Sequence, residues 1–215
     1  MTPLNYTLTI SRIQYKTRVL GPGIRAVIWF HGCSHHCPGC VATEMNASSD
    51  YRTCTVDKLL EEVLSIQGIE GITLSGGEPF EQNDKALFAF LSGVKKSGQL
   101  SVMVYTGYML DDLITDSCKS KILDFVDILV DGPYVESDDH GELWRGSGNQ
   151  TIYFLTSRYL ELAETIPLQK GRPMEFSIGN DNRFSFVGIP PKGFRKNLEK
   201  KLGNKGLTIS WHEHK

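Results

Sequence analysis

No apolar run in this chain of 215 residues is long enough to cross a bilayer. The longest, RAVIWF and FVDILV, stop far short of the roughly 20 residues a spanning helix needs. The opening MTPLNYTLTISR lacks the basic-then-apolar order of a secretion signal, so a cytoplasmic location is expected. An excess of one charge is missing too. Twenty-three Lys and Arg face 25 Asp and Glu, which gives no broad attraction to nucleic acid or to an anionic membrane, and neither is expected as a partner. Internal repeats and low-complexity tracts are absent, and 40% hydrophobic with 22% charged residues excludes a disordered chain. Cysteine is scarce: an odd total of five cannot form a complete disulfide framework. Three of the five crowd into FHGCSHHCPGC, where metal ligation fits better than cross-linking. Cys54 and Cys118 stand alone and read as small buried or half-buried residues without a ligand role.

What is present is an alternation of strand-like and helix-like segments. RAVIWF (25–30), GITLS (71–75), SVMVY (101–105) and VDILV (126–130) read as strands. Between them, TVDKLLEEVLSI has helical apolar spacing behind Thr55 as N-cap, NDKALFAFLSGVKK places Ala86, Leu87, Phe90, Leu91 and Val94 on one side, and YMLDDLITDSCKSKILDF is mostly helical. The strands are continuous apolar runs, so both faces should be buried by helices in a parallel sheet. Four βα units cannot close an eight-stranded barrel. The expected fold is therefore α/β, an open partial (β/α) barrel over residues 1–151 with right-handed crossovers. Residues 152–215 read as a small α+β appendage: two β-rich runs around GNDN, a basic helix in KGFRKNLEKKLGNKGLTISW, and a final strand.

Cys33, Cys37 and Cys40 follow the first strand with spacing C-x3-C-x2-C, on a loop where side chains can converge. Two metals suit them. A structural zinc site would need a fourth ligand, which His31, His35 or His36 could offer. An iron–sulfur cubane held by three thiolates would keep one iron open for a substrate or cofactor. The spacing favours the cluster. The Gly76-Gly77 pair at the end of the second strand lets backbone approach a ligand, and Glu78 beside it can accept hydrogen bonds from an amine or hydroxyl. Thr106 and Asp131 end the third and fourth strands, where ligand groups gather on parallel sheets, although each could equally cap the next turn. Together these strand ends point to one shared pocket.

In the order GPGIRAVIWFHGCSHHCPGC, LSGGEP, VYTGYMLDDL, VDILVDGPYV and WRGSGNQ, the chain resembles the radical SAM enzymes, and within them the activating enzymes of anaerobic, class III ribonucleotide reductase. The likeness runs from about Val19 to Thr151. It implies a 4Fe-4S cluster on Cys33, Cys37 and Cys40, with S-adenosylmethionine on the fourth iron. It further implies Gly39 and Val41 near the adenine, Gly76 and Gly77 facing the methionine part, and Thr106 and Asp131 further along the rim. Arg145, Ser147 and Asn149 would shape the far side of the pocket or the partner surface. Val41 departs from the usual aromatic. The implied activity makes a glycyl radical on a large partner enzyme, using a low-potential donor such as flavodoxin or ferredoxin. Alternatives are a radical SAM enzyme acting directly on a peptide or small molecule, and a non-catalytic zinc or iron–sulfur module.

The appendage, which short members of that family lack, reads either as cover for the open sheet edge or as a docking surface through Lys192, Arg195, Lys196, Lys200 and Lys201. The loop histidines are either hydrogen-bonding neighbours of a cluster or neutral filler.

Overall fold

The computed structural model describes residues 6–43, 45, 49–180 and 183–209. Its main sheet has seven strands: β1 (Thr7–Thr17), β2 (Arg25–Phe30), β3 (Arg52–Thr55), β4 (Gly71–Gly76), β5 (Ser101–Tyr105), β6 (Ile128–Asp131) and β7 (Thr151–Phe154). The order is β3-β1-β2-β4-β5-β6-β7. The expected strands β2, β4, β5 and β6 pair in parallel at the centre. Strands β1, β3 and β7 join antiparallel. The sheet is open, as expected for a partial barrel, with β3 and β7 at its edges. Strands β1 and β3 were not foreseen. Both alternate rather than run apolar, and Leu8, Ile10, Thr17 and Cys54 are the residues among them that are buried. Strand β7 continues the main sheet to Phe154, across the boundary expected at 151.

Successive residues of the central strands face opposite sides. Ala26, Ile28, Phe30, Ile72, Leu74, Val102, Val104 and Leu129 pack on the helical side. That side is covered by α1 (Val56–Leu64), α2 (Asp84–Lys96), α3 (Leu110–Thr115) and α4 (Lys119–Leu123). Asn83 caps α2 through its Oδ1, which accepts from Ala86 N at 3.0 Å. Thr55 occupies the N-cap position of α1, but its side chain makes no capping bond.

The other face departs from expectation, because loops and short 3-10 turns cover it in place of α-helices. Met103, Ile128 and Val130 meet Trp144, Ile152 and Ile166, while Val27 meets Val19, Leu20 and Val187. Arg25 lies fully buried on the same side. Its Nε donates to Thr73 Oγ1 at 2.8 Å and its Nη1 to Ser101 Oγ at 2.8 Å, with further bonds to the Pro22 and Ile72 carbonyls. Loops and the C-terminal segment therefore do on this face what helices do on the first.

That segment holds a separate antiparallel hairpin, β8 (Met174–Ile178) with β9 (Phe184–Gly188), and the helix α5 (Phe194–Gly203). The hairpin does not extend the main sheet. Asp181 and Asn182 of the expected GNDN turn lie outside the described residues, as do Ser210 and Trp211 of the expected final strand, and 207–209 form no strand. Among the described residues no helix is long and apolar enough to cross a membrane.

Candidate functional site

The cysteine loop follows β2 and is fastened to the turn after β4. Glu78 N donates to Gly32 O at 2.7 Å and Gly77 N to Phe30 O at 2.8 Å. Gln82 Nε2 donates to His31 O at 3.0 Å, and Ser34 N to Glu81 Oε2 at 2.9 Å. Gly77 is required by this closeness, since a Cβ there would lie 2.1 Å from Gly32 O. Gly76 takes a left-handed φ of +90°, which favours glycine over any residue with a Cβ. Glu81 and Gln82 escaped notice as sequence, because a polar residue in a loop looks alike whether it anchors a neighbour or faces water.

Glu78 is buried, and both its oxygens are engaged. Oε1 accepts from Phe80 N at 3.0 Å and Thr106 Oγ1 at 2.7 Å; Oε2 accepts from Gly107 N at 2.8 Å. It ties the end of β5 to the end of β4. His35 Nε2 stands 3.5 Å from Glu78 Oε2, an electrostatic contact at the limit of a hydrogen bond. The Glu78 carboxylate raises the His35 imidazole above its ordinary range. His31 instead stacks on Tyr51 with ring centroids 4.2 Å apart.

Cys33, Cys37, Cys40, Gly39, Val41, Gly76, Gly77, Glu78 and Thr106 line one cavity of about 520 Å³. All three cysteines are half-buried, and burial pushes the Cys33 and Cys40 thiols up. Cys54 is buried as expected. Cys118 corrects the expectation: it is exposed, because it sits at the turn opening α4, where its N–H donates to Asp116 Oδ1 at 2.8 Å. Asp131 stands apart from the cavity. It is buried, with Oδ2 accepting from Leu110 N at 2.8 Å and Oδ1 from Thr151 N at 3.3 Å, which is its capping alternative.

The WRGSGNQ residues act on the loop after β6. Ser147 Oγ accepts from Val135 N at 3.0 Å, and Asn149 Nδ2 donates to Pro133 O at 2.8 Å. Arg145 donates to the Gln150 and Pro167 carbonyls. Arg172, not singled out in the sequence, reaches the same loop from beyond residue 151. Its Nη2 lies 2.8 Å from Asp139 Oδ1 and donates to Gly146 O at 2.6 Å. Asp139 and Gly146 both line the cavity.

Three thiols on one loop, soft donors with a glycine between the last two, suit an iron–sulfur cluster or zinc. They share the cavity without being gathered to one point: among the described residues no three His, Cys, Asp or Glu side chains form a group able to hold a metal ion. The donor chemistry fits a cluster that leaves room beside it. Such a site, at the carboxyl ends of parallel strands, defines a class of α/β protein that places a redox group next to a ligand cavity.

The particular family follows from comparison. Residues 19–153 match the model of the family described as "4Fe-4S single cluster domain". The chain is 32% identical over 144 residues to the anaerobic ribonucleoside-triphosphate reductase-activating protein of Salmonella typhimurium, covering 64% of this chain and 92% of that protein. The protein of the same name from Enterobacteria phage T4 is 34% identical over 139 residues, covering 63% and 86%. That of Haemophilus influenzae is 33% identical over 153 residues, covering 65% and 94%. A solved structure, QueE from Escherichia coli, aligns with a TM-score of 0.38 at 14% identity over 47% of this chain and 53% of its own, too slight to carry an argument. The chain belongs to the 4Fe-4S single cluster domain family and, within it, groups with the anaerobic ribonucleoside-triphosphate reductase-activating proteins.

Proposed function

We propose that the chain is a radical SAM activase that makes a glycyl radical on a partner such as anaerobic ribonucleoside-triphosphate reductase. The observation that carries this reading is the single cavity shared by Cys33, Cys37, Cys40, the Gly76-Gly77 turn and Thr106, in a chain with such relatives. Cys33, Cys37 and Cys40 would hold the cluster. When bound, it supplies the one electron that splits S-adenosylmethionine into methionine and a 5′-deoxyadenosyl radical, which takes a hydrogen atom from a glycine Cα.

The chain's own residues position and exclude. Gly76 and Gly77 keep side chains out of the space where the methionine part would lie, and Gly39 and Val41 would border the adenine. Glu78 holds Thr106 and Gly107 at that rim, and Asp131 steadies the start of α3 behind it. Covering the second face of the sheet keeps bulk water from the radical. The electron would come from a low-potential protein such as flavodoxin or ferredoxin. Residues 1–151 would form the cofactor-binding unit, with 152–215 closing it.

The test is anaerobic reconstitution. About four irons and four sulfides per chain are expected, with 5′-deoxyadenosine released under dithionite and a glycyl radical seen by electron paramagnetic resonance when the partner is added. Stoichiometric zinc without cofactor cleavage would overturn the reading. Cleavage with turnover of a peptide and no partner radical would favour a directly acting enzyme.

A further inference from the structure

The stretch shared with the family ends at 153, but the cavity does not. Residues 188–196 line one of its walls, and from that wall α5 runs on beyond the cavity. The helix starts close to the cysteine loop. Lys192 Nζ lies 3.3 Å from Glu136 Oε1, and Glu136 abuts Gly39, between the last two cysteines, 3.1 Å from where a Cβ would stand. It is also held in place. Phe194, Leu198 and Leu202, each four residues from the next, are half-buried on one side. The Phe194 ring centroid lies 5.2 Å from that of Phe186 and 6.0 Å from that of Phe176 in the hairpin. The hairpin in turn is fastened to the main sheet, with Val187 buried against Val19, Leu20 and Val27 and Arg18 N donating to Glu175 Oε1 at 2.9 Å.

Charge is divided between the cavity and the helix. In the cavity, Glu78, Glu136 and Asp139 stand against Lys192, Arg195 and Lys196, so the lining favours neither sign. The outer face of α5 is different. Lys196, Lys200, Lys201 and Lys205 are all exposed, and their spacing draws them into one stripe. Among the described residues, Lys200, Lys201 and Lys205 pair with no acid. Residues 189–209 contain six Lys and Arg against the single acid Glu199, whereas residues 1–151 contain twelve against nineteen.

A cationic face beside a redox cavity, yet outside its lining, restricts what it can serve. A hydrogen atom moves only between atoms in contact, so the protein that surrenders one must enter the cavity. An electron crosses intervening protein, so its donor needs only to sit nearby. Exposed lysines on a helix with no exposed large apolar side chain suit a brief encounter steered by charge, the kind that electron carriers make.

We propose that the outer face of α5 is the docking surface of the electron donor, and that the donor is an acidic one-electron carrier protein of the flavodoxin kind. The proposal rests on the activase reading above. In the step served, a flavin hydroquinone loses one electron and becomes the semiquinone, and a cluster on the three cysteines gains that electron, with no bond made or broken.

The probe is flavodoxin reduced to its hydroquinone, mixed without oxygen with the full chain loaded with cluster and S-adenosylmethionine. Stopped-flow absorbance of the semiquinone reads the transfer. Its rate should fall as salt is raised, because exposed charges are screened. Lys200→Glu with Lys201→Glu should slow it about tenfold at low salt and flatten the salt dependence. Lys200→Arg with Lys201→Arg should keep the rate. Release of 5′-deoxyadenosine under dithionite should persist in both variants, since neither lysine lines the cavity. Should the reversed variant fail to load cluster, carbodiimide coupling of flavodoxin carboxylates to the unaltered chain decides, and the coupled lysines should fall within 196–205. Coupling only elsewhere, or a flavodoxin rate unmoved by charge reversal, overturns the proposal. So does a reversal that spares flavodoxin but weakens glycyl radical formation on the partner under dithionite, which would make α5 a substrate surface. If the unaltered chain releases no 5′-deoxyadenosine under dithionite, the activase reading fails instead, while the flavodoxin kinetics still report on docking.

Discussion

Thr106 Oγ1 donates a 2.7 Å hydrogen bond to Glu78 Oε1, joining the ends of β5 and β4 at the rim of the cavity. The carboxylate is buried and also serves Phe80 N and Gly107 N, so removing it strands several donors at once. Glu78→Ala should destabilise the cluster-free protein by about 3 kcal/mol, and Thr106→Val by about 1 kcal/mol. Urea unfolding measures both. A smaller loss for Glu78→Ala than for Thr106→Val would show that the bridge does not hold the rim.

Gly77 and Gly203 make a matched pair. A Cβ on Gly77 would stand 2.1 Å from a backbone oxygen, whereas Gly203, in α5, has nothing within 4 Å. Gly77→Ala should lower stability by about 2 kcal/mol or more and loosen the cysteine loop. Gly203→Ala should raise stability by about 0.5 kcal/mol. Thermal melts and iron retention read both, and an unaffected Gly77→Ala would contradict the close approach.

Replacing any one of Cys33, Cys37 or Cys40 by Ala should abolish cluster assembly, since three thiolates are the fewest that hold a cubane with one open iron. Cys54→Ala and Cys118→Ala should assemble normally. Iron and sulfide content after reconstitution decides, and full loading with only two of the three loop cysteines would require another ligand.

Asp127 gives a pH dependence. Burial opposes its charge, but Lys95, Val102 N and Thr156 outweigh that and leave its carboxyl below the ordinary range. Lys95 Nζ lies 2.6 Å from Oδ2, and Thr156 Oγ1 donates to Oδ1 at 2.7 Å. A folded value below the unfolded one stabilises above the unfolded value, about pH 4, and that stability is lost as pH falls through the folded value. Unfolding of cluster-free protein followed downward from neutral pH should show this loss, and Asp127→Asn should flatten it. An identical profile in the variant would assign the acid sensitivity elsewhere.

The parts of the fold legible beforehand were those written in neighbouring residues. Continuous apolar runs marked β2, β4, β5 and β6, and the spacing of Ala86, Leu87, Phe90, Leu91 and Val94 announced α2. Strands β1 and β3 were passed over because their alternation is mixed, and β3 is a four-residue edge strand held by one pairing. The cavity residues were legible for a related reason: each stands just past a strand end, and parallel strands bring those ends together. Asp131 shows the limit, since a carboxylate at a strand end looks the same whether it faces a ligand or caps α3.

By itself the sequence determined the βα alternation, the cysteine spacing and the glycine turn, because these depend on contacts within a few residues or on strand ends that the fold must align. Only the tertiary structure decided what covers the second face and closes the cavity. Val187 meets Val27, and Arg172 meets Asp139, across long separations in the chain. No local period records such a contact, because its free energy arises from burial and charge pairing that exist only once the sheet has formed.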